Sequence, residues 1–295
     1  MPHRQLHARA WTLLPFEMRK AWGNAPQPLF ALATSADSRK HTDSLEAARH
    51  YLDFDDLENE SIDIWGQRWR EAELALAGGD TSTNPRRFGV LPWQLEWTYR
   101  RLVLALSPPD SLPPDLPRVQ RAAADLGHYL ADAHVPLHTS GNYDGQRTNQ
   151  RGIHALWETR ALEWMMLNER RTCPPCNLSD RAPYDPIWTP WQVIQESHAM
   201  VPDVLEAHLV WDSLCQKSGM GFQRRGRTMH LAPTPEAMDL WDSLTFRSTW
   251  PRHCLAAERV ALAWHGAWLE AGKPVLSTPK RVTLWEQLKS YLPLQ

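Results

Sequence analysis

The sequence contains no hydrophobic run of about 18 residues or more, the length that a transmembrane helix needs. Its first residues also lack the basic, apolar and small-residue order of a signal peptide. Neither sign of charge is in excess, because the net charge is −2 and the isoelectric point is about 6.7. No overall positive field would therefore draw the chain to duplex nucleic acid or to anionic membranes. A pocket for a single nucleotide or lipid head group is compatible with this charge.

Cysteine is scarce as well, with four residues in 295. The segment "CPPC" has the spacing of a redox or zinc motif, but no second pair completes a four-thiolate zinc site. A thioredoxin-like redox role is disfavoured, because no βαβ pattern surrounds the motif. Two disulfides of an exported protein and unpaired buried thiols both remain open for the four residues, which are Cys173, Cys176, Cys215 and Cys254.

Apolar residues recur at helical spacing along most of the chain. We expect helices over 4–23, 44–52, 62–77, 92–106, 118–134, 153–170, 187–217, 235–244 and 249–272. No convincing alternating β-pattern and no internal repeat accompanies them. The proline-rich segment 107–117 cannot be helical throughout, and we interpret it as an internal loop, because candidate ligands occur on both sides of it. The sequence therefore predicts a single all-α, multi-helix domain over residues 1–295.

The central segment "HYLADAHVPLHTSGNYDGQRTNQRGIHALWE" is rich in histidine and acidic residues. His128 and Asp132 are four residues apart on a predicted helix, so both side chains leave the same face. His154 and Glu158 form a second such pair, and His138 lies between the pairs, just beyond the end of the first helix. One pair alone is typical of a surface ion pair. The ordered set of five nitrogen and oxygen donors suits zinc.

"HYLADAHVPLH" followed by "GIHALWE" resembles the superfamily of bacterial zinc-dependent phospholipases C and single-strand-specific zinc nucleases. The shared pattern is H-x3-D-x5-H, a variable loop and then H-x3-E, and this chain matches it without a spacing violation. Asp37 in "SADSRK" and His50 in "EAARHYLDFD" match the family's upstream Asp and His. His3 in "PHRQLHARAWTLLP" matches its N-terminal His, and "HGAWLEAGKPVL" is similar to the tryptophan-rich closing helix of several bacterial members.

The resemblance implies a mostly helical fold with two to three zinc ions in a cleft. By position, one zinc would be held by Asp37, His50, His128 and Asp132. A second would be held by His138, His154 and Glu158, and a third by His3 with Asp132 as a bridging carboxylate. The resemblance also gives Asp132 a catalytic position between two metals, and Asp37 a possible second role as a base that orients the attacking water.

One departure from the family concerns the N-terminus. Family members open with a tryptophan whose amino group and carbonyl complete the third site, whereas this sequence begins Met1-Pro2-His3. Either the start of the protein is assigned too late in the gene, which would remove a signal peptide and the tryptophan, or the third site is degraded. We favour the first explanation because His3 is in place. The resemblance then implies a periplasmic or secreted protein, although this chain contains no signal peptide.

The implied activity is hydrolysis of phosphoric esters by a zinc-activated water. The segments "HYLADAHVPLH" and "EAARHYLDFD" look closer to the phospholipase members, which favours a phospholipase-C-like enzyme that binds a phospholipid head group. A single-strand-specific nuclease or 3'-nucleotidase with the same zinc cluster is the alternative, with single-stranded nucleic acid as substrate. An aromatic wall would serve either substrate, by base stacking or by cation–π contact. Its candidates are Tyr143, Trp65, Trp93 and Trp157, although for each of them we favour a place in the core.

A non-enzymatic interpretation is a helical protein with a structural zinc. It is the less favoured one, because a structural zinc typically takes four donors, mostly thiolate and imidazole. Nothing in the sequence implies a stable protein partner, and we expect a monomer.

Overall fold

The structure is a computed structural model that describes residues 2–23, 26–59, 62–77, 84, 86–108, 113–168, 171–215, 219–225 and 228–276. Most of these residues are helical, in agreement with the predicted all-α class. The first helices are α1 (Pro2–Leu13), α2 (Phe16–Ala21), α3 (Gln27–Ala31), α4 (Ser35–Arg39), α5 (Phe54–Asn59), α6 (Trp69–Ala77) and α7 (Leu91–Leu106). The others are α8 (Leu116–Ala133), α9 (Ile153–Ala155), α10 (Leu162–Leu167), α11 (Trp188–His198), α12 (Val201–Cys215), α13 (Pro235–Leu244) and α14 (Thr249–Glu270).

Several predicted helices are shorter than expected, because local chemistry interrupts them. Pro15 separates α1 from α2, and Pro202 lies at the start of α12, after the break that ends α11. The segment before α6 is a loop in which Gly66 adopts the left-handed conformation, with φ of 66°. The helix expected over 44–52 is reduced to a 3-10 turn, Ala47–His50, after which Tyr51 is extended.

Two other predictions need correction. The strands β1 (Met220–Arg225) and β2 (Thr228–Pro233) form an antiparallel hairpin that the sequence did not predict. Two adjacent arginines, Arg224 and Arg225, break the apolar alternation that would have signalled a strand. The proline-rich loop ends at residue 115, because Leu116 and Pro117 already belong to α8, where proline suits the first turn. Residues 109–112 of that loop, residues 169–170 of the expected helix 153–170 and residues 277–295 of the predicted domain lie outside the described residues.

The main core is built around α7, α8 and α14, which pack against one another, with α1 against α14. Small residues on α8 allow this close packing, and the Trp264 indole on α14 donates to the Ala123 carbonyl at 2.9 Å. A second apolar cluster surrounds Trp211 of α12 and Trp241 of α13. No helix in the described part of the chain is long and apolar enough to cross a membrane.

The four cysteines form one disulfide, between Cys173 and Cys254. The bond joins the loop before α11 to α14. Cys173 therefore does not pair with Cys176, its neighbour in the "CPPC" segment, which carries a half-buried thiol.

Gly127 on α8 sets how closely α1 approaches. A Cβ atom at this position would collide with Nε2 of His7, which is fully buried on α1. The contact brings α1 close enough for the His3 ring to stack on the His128 ring, with centroids 4.4 Å apart.

We expect Gly127→Ala to lower the free energy of unfolding by about 1–3 kcal/mol, because the added methyl group overpacks the contact between α1 and α8. Chemical denaturation measures the loss. The double variant His7→Ala/Gly127→Ala removes the colliding ring and should lose less than the sum of the two single changes. Strict additivity of the two losses would show that the close approach of the helices is unimportant.

Candidate metal centre

The eight side chains that the sequence proposes as zinc ligands lie together around the C-terminal half of α8. Separate elements deliver them: His3 from α1, Asp37 from α4, His50 from the 3-10 turn, His128 and Asp132 from α8, His138 from a 3-10 turn at Pro136–Thr139, and His154 and Glu158 from the helical segment that begins at Ile153. They form four overlapping groups of three, and within each group the potential ligand atoms lie within 4.8 Å of one another. That these residues bind zinc remains a prediction.

The residues proposed for the first zinc, Asp37, His50, His128 and Asp132, include the most deeply buried part of the cluster. Asp132 Oδ2 lies 2.7 Å from His50 Nδ1 and 3.3 Å from His128 Nε2. Asp37 Oδ1 lies 3.7 Å from His128 Nε2 and 4.0 Å from His50 Nδ1. Three of these side chains are buried, whereas that of Asp37 is 45% exposed. The four residues proposed for one zinc therefore converge, with Asp37 at the solvent side.

The residues proposed for the second zinc are His138 and two residues of a helix with an irregular turn. Leu156–Ala161 is a π-helix between α9 and α10, and it carries Glu158. Glu158 Oε2 lies 2.8 Å from His154 Nε2 and 3.4 Å from His138 Nε2. Single π turns inside α-helices are frequent at functional sites, because they redirect side chains that a regular helix would misplace.

His3 links the two groups. Its Nε2 lies 3.2 Å from Glu158 Oε1 and 3.6 Å from Asp132 Oδ1. The resemblance paired His3 with Asp132 alone, and the structure adds Glu158 to this third set. Asp132 and Glu158 each present one oxygen to His3 and the other to a different pair of histidines, so both carboxylates can bridge.

The ring nitrogens of His128 give a test of whether a cation fits the site. His128 Nδ1 lies 2.8 Å from the Ala33 carbonyl, which can only accept a hydrogen bond, so Nδ1 carries the proton. Burial lowers the pKa of His128 to about 4, which keeps the ring neutral. Its Nε2 lone pair then faces the oxygens of Asp132 and Asp37 without a proton between them. A metal cation would relieve this crowding of acceptors.

His154 has the same arrangement, since its Nδ1 lies 3.1 Å from the Tyr143 carbonyl and its Nε2 faces Glu158. An outer hydrogen bond of this kind orients a histidine whose other nitrogen binds a metal. The donor set of five imidazoles and three carboxylates is one that zinc accepts. The residues therefore fit zinc, by donor chemistry and by the orientation of the rings.

The buried carboxylates are ionised in spite of their surroundings. Burial by itself raises the pKa of Asp132, but the neighbouring His128, His138 and His50 outweigh it and hold that pKa below its usual range. Glu158 follows the same pattern, with His138, His154 and His3 lowering its pKa. Both groups are therefore anions at neutral pH, the charge state that metal binding would require.

A cleft of about 580 Å³ opens beside the cluster. His50, His138 and His154 contribute to its wall, and the other side chains that line it include Tyr51, Asp53, Tyr143 and Asp144. Burial, together with the nearby Asp56 and Asp55, raises the pKa of Asp53 to about 7. Asp53 is therefore partly protonated at neutral pH, and it can both donate and accept a hydrogen bond.

Two acidic residues of α5 hold the loop that carries Tyr143 in place beside the cleft. Asp55, close to Tyr51 and Asp53 in the chain, accepts hydrogen bonds at 2.8 Å from the Ser140 hydroxyl and from the Gly141 backbone N–H. Asp56 forms a bidentate ion pair with Arg147, with distances of 2.5 and 2.6 Å. The loop that carries Tyr143 is thereby anchored to α5.

Lys40 is a charged residue that the sequence analysis did not single out. Its Nζ lies 2.9 Å from Asp37 Oδ1, and it lines both the large cleft and an adjoining pocket that contains Asp37, Asp132 and Glu158. An exposed ammonium group at this position suits a phosphate oxygen. No sequence signal indicated this role, because Lys40 directly follows α4, a helix that was not predicted.

Most candidates for the aromatic wall belong to the core, the interpretation that the sequence analysis favoured for each of them. Trp93 and Trp157 are buried in the core, with 1% and 2% of their surface exposed. Trp65 is half-buried and packs against Trp191 and Phe54, where it lines a different groove. Of the four candidates only Tyr143 lines the cleft, and Tyr51 was missed. The tryptophans are large enough to complete a core, and periodicity does not separate that role from a cleft wall.

His134, within the same histidine-rich segment, lies outside all four groups. Its Nδ1 donates to the Leu130 carbonyl at 2.7 Å and its Nε2 lies 3.2 Å from Arg259 Nη1. Its place two residues after Asp132 turns it to another face of α8.

A comparison with protein-family models and with curated proteins found no match for this chain.

Proposed function

We propose that this protein is a zinc-dependent hydrolase of phosphoric esters, related to the zinc-dependent phospholipases C and single-strand-specific zinc nucleases. The observation that carries the proposal is the convergence of eight motif residues from six separate elements into four overlapping ligand groups. Helical spacing accounts for the proximity of His128 and Asp132. It does not account for the arrival of His3, Asp37 and His50 at the same point.

Bound zinc would lower the pKa of a water toward about 7 and neutralise charge on the phosphate oxygens. The protein side chains supply the remaining functions. Asp37 is half-exposed at the mouth of the cluster, where its carboxylate can accept a proton from the attacking water and orient it. Lys40 offers a positive charge beside it for a phosphate oxygen. The cleft holds the organic part of the ester.

The number and type of donors favour catalysis over a structural role. A structural zinc is normally closed by four ligands. Here the cluster has twice as many donors and contains no thiolate, and Asp37 leaves it open to solvent on one side. We infer that two to three zinc ions bind.

The cleft bears on the choice between the two substrate classes. The sequence around the proposed ligands favours a phospholipase, but Tyr51, Tyr143 and Asp53 in the cleft favour the nuclease alternative. A nucleobase has a flat face that stacks on aromatic rings and a polar edge that bonds to a carboxyl group. A trimethylammonium head group has no such edge and binds best beside a fixed negative charge. Of the two carboxyl groups that line the cleft, Asp144 turns Oδ1 toward the backbone N–H groups of Gly152 and His154, and Asp53 is charged only in part because its pKa is about 7.

Parallel hydrolysis assays separate the two substrates. Zinc-loaded protein is incubated with single-stranded RNA and with phosphatidylcholine vesicles, each with and without a chelator. We expect chelator-sensitive release of nucleotides from RNA. Release of phosphocholine alone would make the protein a phospholipase. Hydrolysis of neither substrate by protein that carries two or more zinc ions would contradict the proposed activity.

Tyr143→Ala should lower kcat/KM for RNA roughly tenfold, because one stacked base contributes about 1–3 kcal/mol. The Tyr143 side chain is 54% exposed, so its removal should leave the fold intact. The steady-state rate is measured on RNA and on a small phosphodiester that has no nucleobase, whose hydrolysis should not change. Phe246→Ala, an exposed aromatic outside the cleft, is the matched control. An equal loss on both substrates would mean that Tyr143 supports the metal site instead.

A further inference from the structure

A fully buried carboxylate, Glu46, lies directly behind His50. Arg39 donates to it from Nε at 3.3 Å and from Nη2 at 3.2 Å. Arg49 and the Tyr129 hydroxyl also donate to it. A buried carboxylate is costly unless donors surround it, so this concentration of partners fixes Glu46 in place.

The two ring nitrogens of His50 face different groups. His50 Nδ1 points into the cluster, 2.7 Å from Asp132 Oδ2 and 3.2 Å from His128 Nε2. His50 Nε2 lies 3.5 Å from Glu46 Oε1, and among the described residues no group meets the full geometry of a hydrogen bond to it. A histidine that binds a metal through one nitrogen carries its proton on the other. Glu46 is the acceptor placed to receive that proton.

The outer partner of His50 differs from those of the other histidines described above. His128 and His154 turn their outer nitrogens toward neutral backbone carbonyls, those of Ala33 and Tyr143. His50 faces a carboxylate. A carboxylate acceptor raises the basicity of the imidazole and strengthens its bond to the metal.

We propose that Glu46 is a positioning residue for the metal centre: it holds His50 in the tautomer and orientation that present Nδ1 to zinc. The inference rests on the proposed zinc site. If His50 held a zinc ion through Nδ1, the proton on Nε2 would point toward Glu46 Oε1.

Arg39 anchors Glu46 to α8. Its guanidinium also donates to Asp125 Oδ1 at 3.0 Å and to the Tyr129 hydroxyl at 3.1 Å. Both partners lie on α8, the helix that carries His128 and Asp132. Tyr129 also donates to Glu46 directly, so the 3-10 turn that bears His50 keeps its link to α8 when the Asp125 contact alone is weakened.

Asp125 provides a matched control, because it is a buried carboxylate that pairs with the same Arg39 and has no contact with His50 among the described contacts. Glu46→Gln and Asp125→Asn each remove one charge from the network. Glu46→Asp keeps the charge for the two arginines but withdraws the carboxylate from His50. It serves as the second variant if Glu46→Gln does not fold.

Zinc affinity is measured by competition with a chromophoric chelator, and the tautomer of His50 by ¹⁵N NMR of the zinc-loaded protein. We expect Glu46→Gln and Glu46→Asp to weaken the affinity for one zinc ion by about 10–100-fold, the usual effect of losing such a partner. Asp125→Asn should change it by less than about twofold, while lowering the stability of the zinc-free protein.

The role of Glu46 would be overturned if both Glu46 variants bound zinc as tightly as the wild type and the His50 tautomer were unchanged. The proposed zinc site itself would not be affected by that result. An equal loss in Asp125→Asn would also overturn it, because the network would then act only through stability. The wild-type titration tests the proposed function separately, since fewer than two bound zinc ions there would contradict the metal centre itself.

Discussion

Asp132→Asn should lose at least one zinc ion per chain and at least about 100-fold in hydrolytic rate. The two Asp132 oxygens face different partners, Oδ1 toward His3 and Oδ2 toward His50 and His128. Asparagine has the same shape, but it carries no charge and presents an amide nitrogen that cannot bind a metal. Losing a partner of a ligand costs about 10–100-fold in metal affinity or activity, and the loss of a bridging ligand should cost more.

Zinc content by mass spectrometry and the hydrolysis rate measured on the same sample give the result. Asp125→Asn is again the control, because Asp125 is a buried carboxylate on the same helix whose partner is Arg39. Thermal unfolding of both variants verifies that the fold is retained. An Asp132→Asn protein with full zinc occupancy and full turnover would remove Asp132 from the centre of the site.

Removal of zinc by a chelator should lower the melting temperature by roughly 10 °C. A ligand that binds only the folded state at about 1,000 times its Kd adds about 4 kcal/mol to the stability, and a domain of this size shifts by a few degrees per kcal/mol. The effect should be large here because the proposed ligands come from α1, α4, α8, two 3-10 turns and the helical segment that begins at Ile153. Their loss releases contacts throughout the N-terminal half.

Differential scanning calorimetry before and after chelation, with dialysis to remove the chelator, measures the shift. Added zinc should restore the original melting temperature. Magnesium should not, because it prefers oxygen ligands and an octahedral geometry, whereas five of the eight donors here are imidazoles. An unchanged melting temperature in protein shown to be free of metal would mean that the cluster does not depend on zinc for its stability.

The regular helices and the core of the site were predictable from sequence. Helix α13 has the predicted bounds, and α7 and α14 begin within one residue of them, because a strong apolar period and good boundary residues agree there. His128 and Asp132 face the cluster as helical spacing requires. The more distant donors, His3, Asp37 and His50, were found only through the likeness to a known family.

The residues that sequence reasoning missed share no local signal. Glu46, Lys40, Tyr51 and Asp53 acquire their places from tertiary packing, since the turn at Ala47–His50 replaces the expected helix and turns Tyr51 and Asp53 toward the cleft. The disulfide could not be deduced either, because four cysteines allow several pairings and the partners lie 81 residues apart. Local pattern identifies an element, but it does not say which elements meet.

The zinc content of the purified wild-type protein tests the central claim most directly. The protein is loaded with zinc, dialysed against metal-free buffer and analysed by inductively coupled plasma mass spectrometry against an amino-acid analysis of the same sample. The eight converging ligands predict two to three zinc ions per chain. One ion would indicate a structural site, and none would contradict the metal centre and the hydrolase assignment that depends on it.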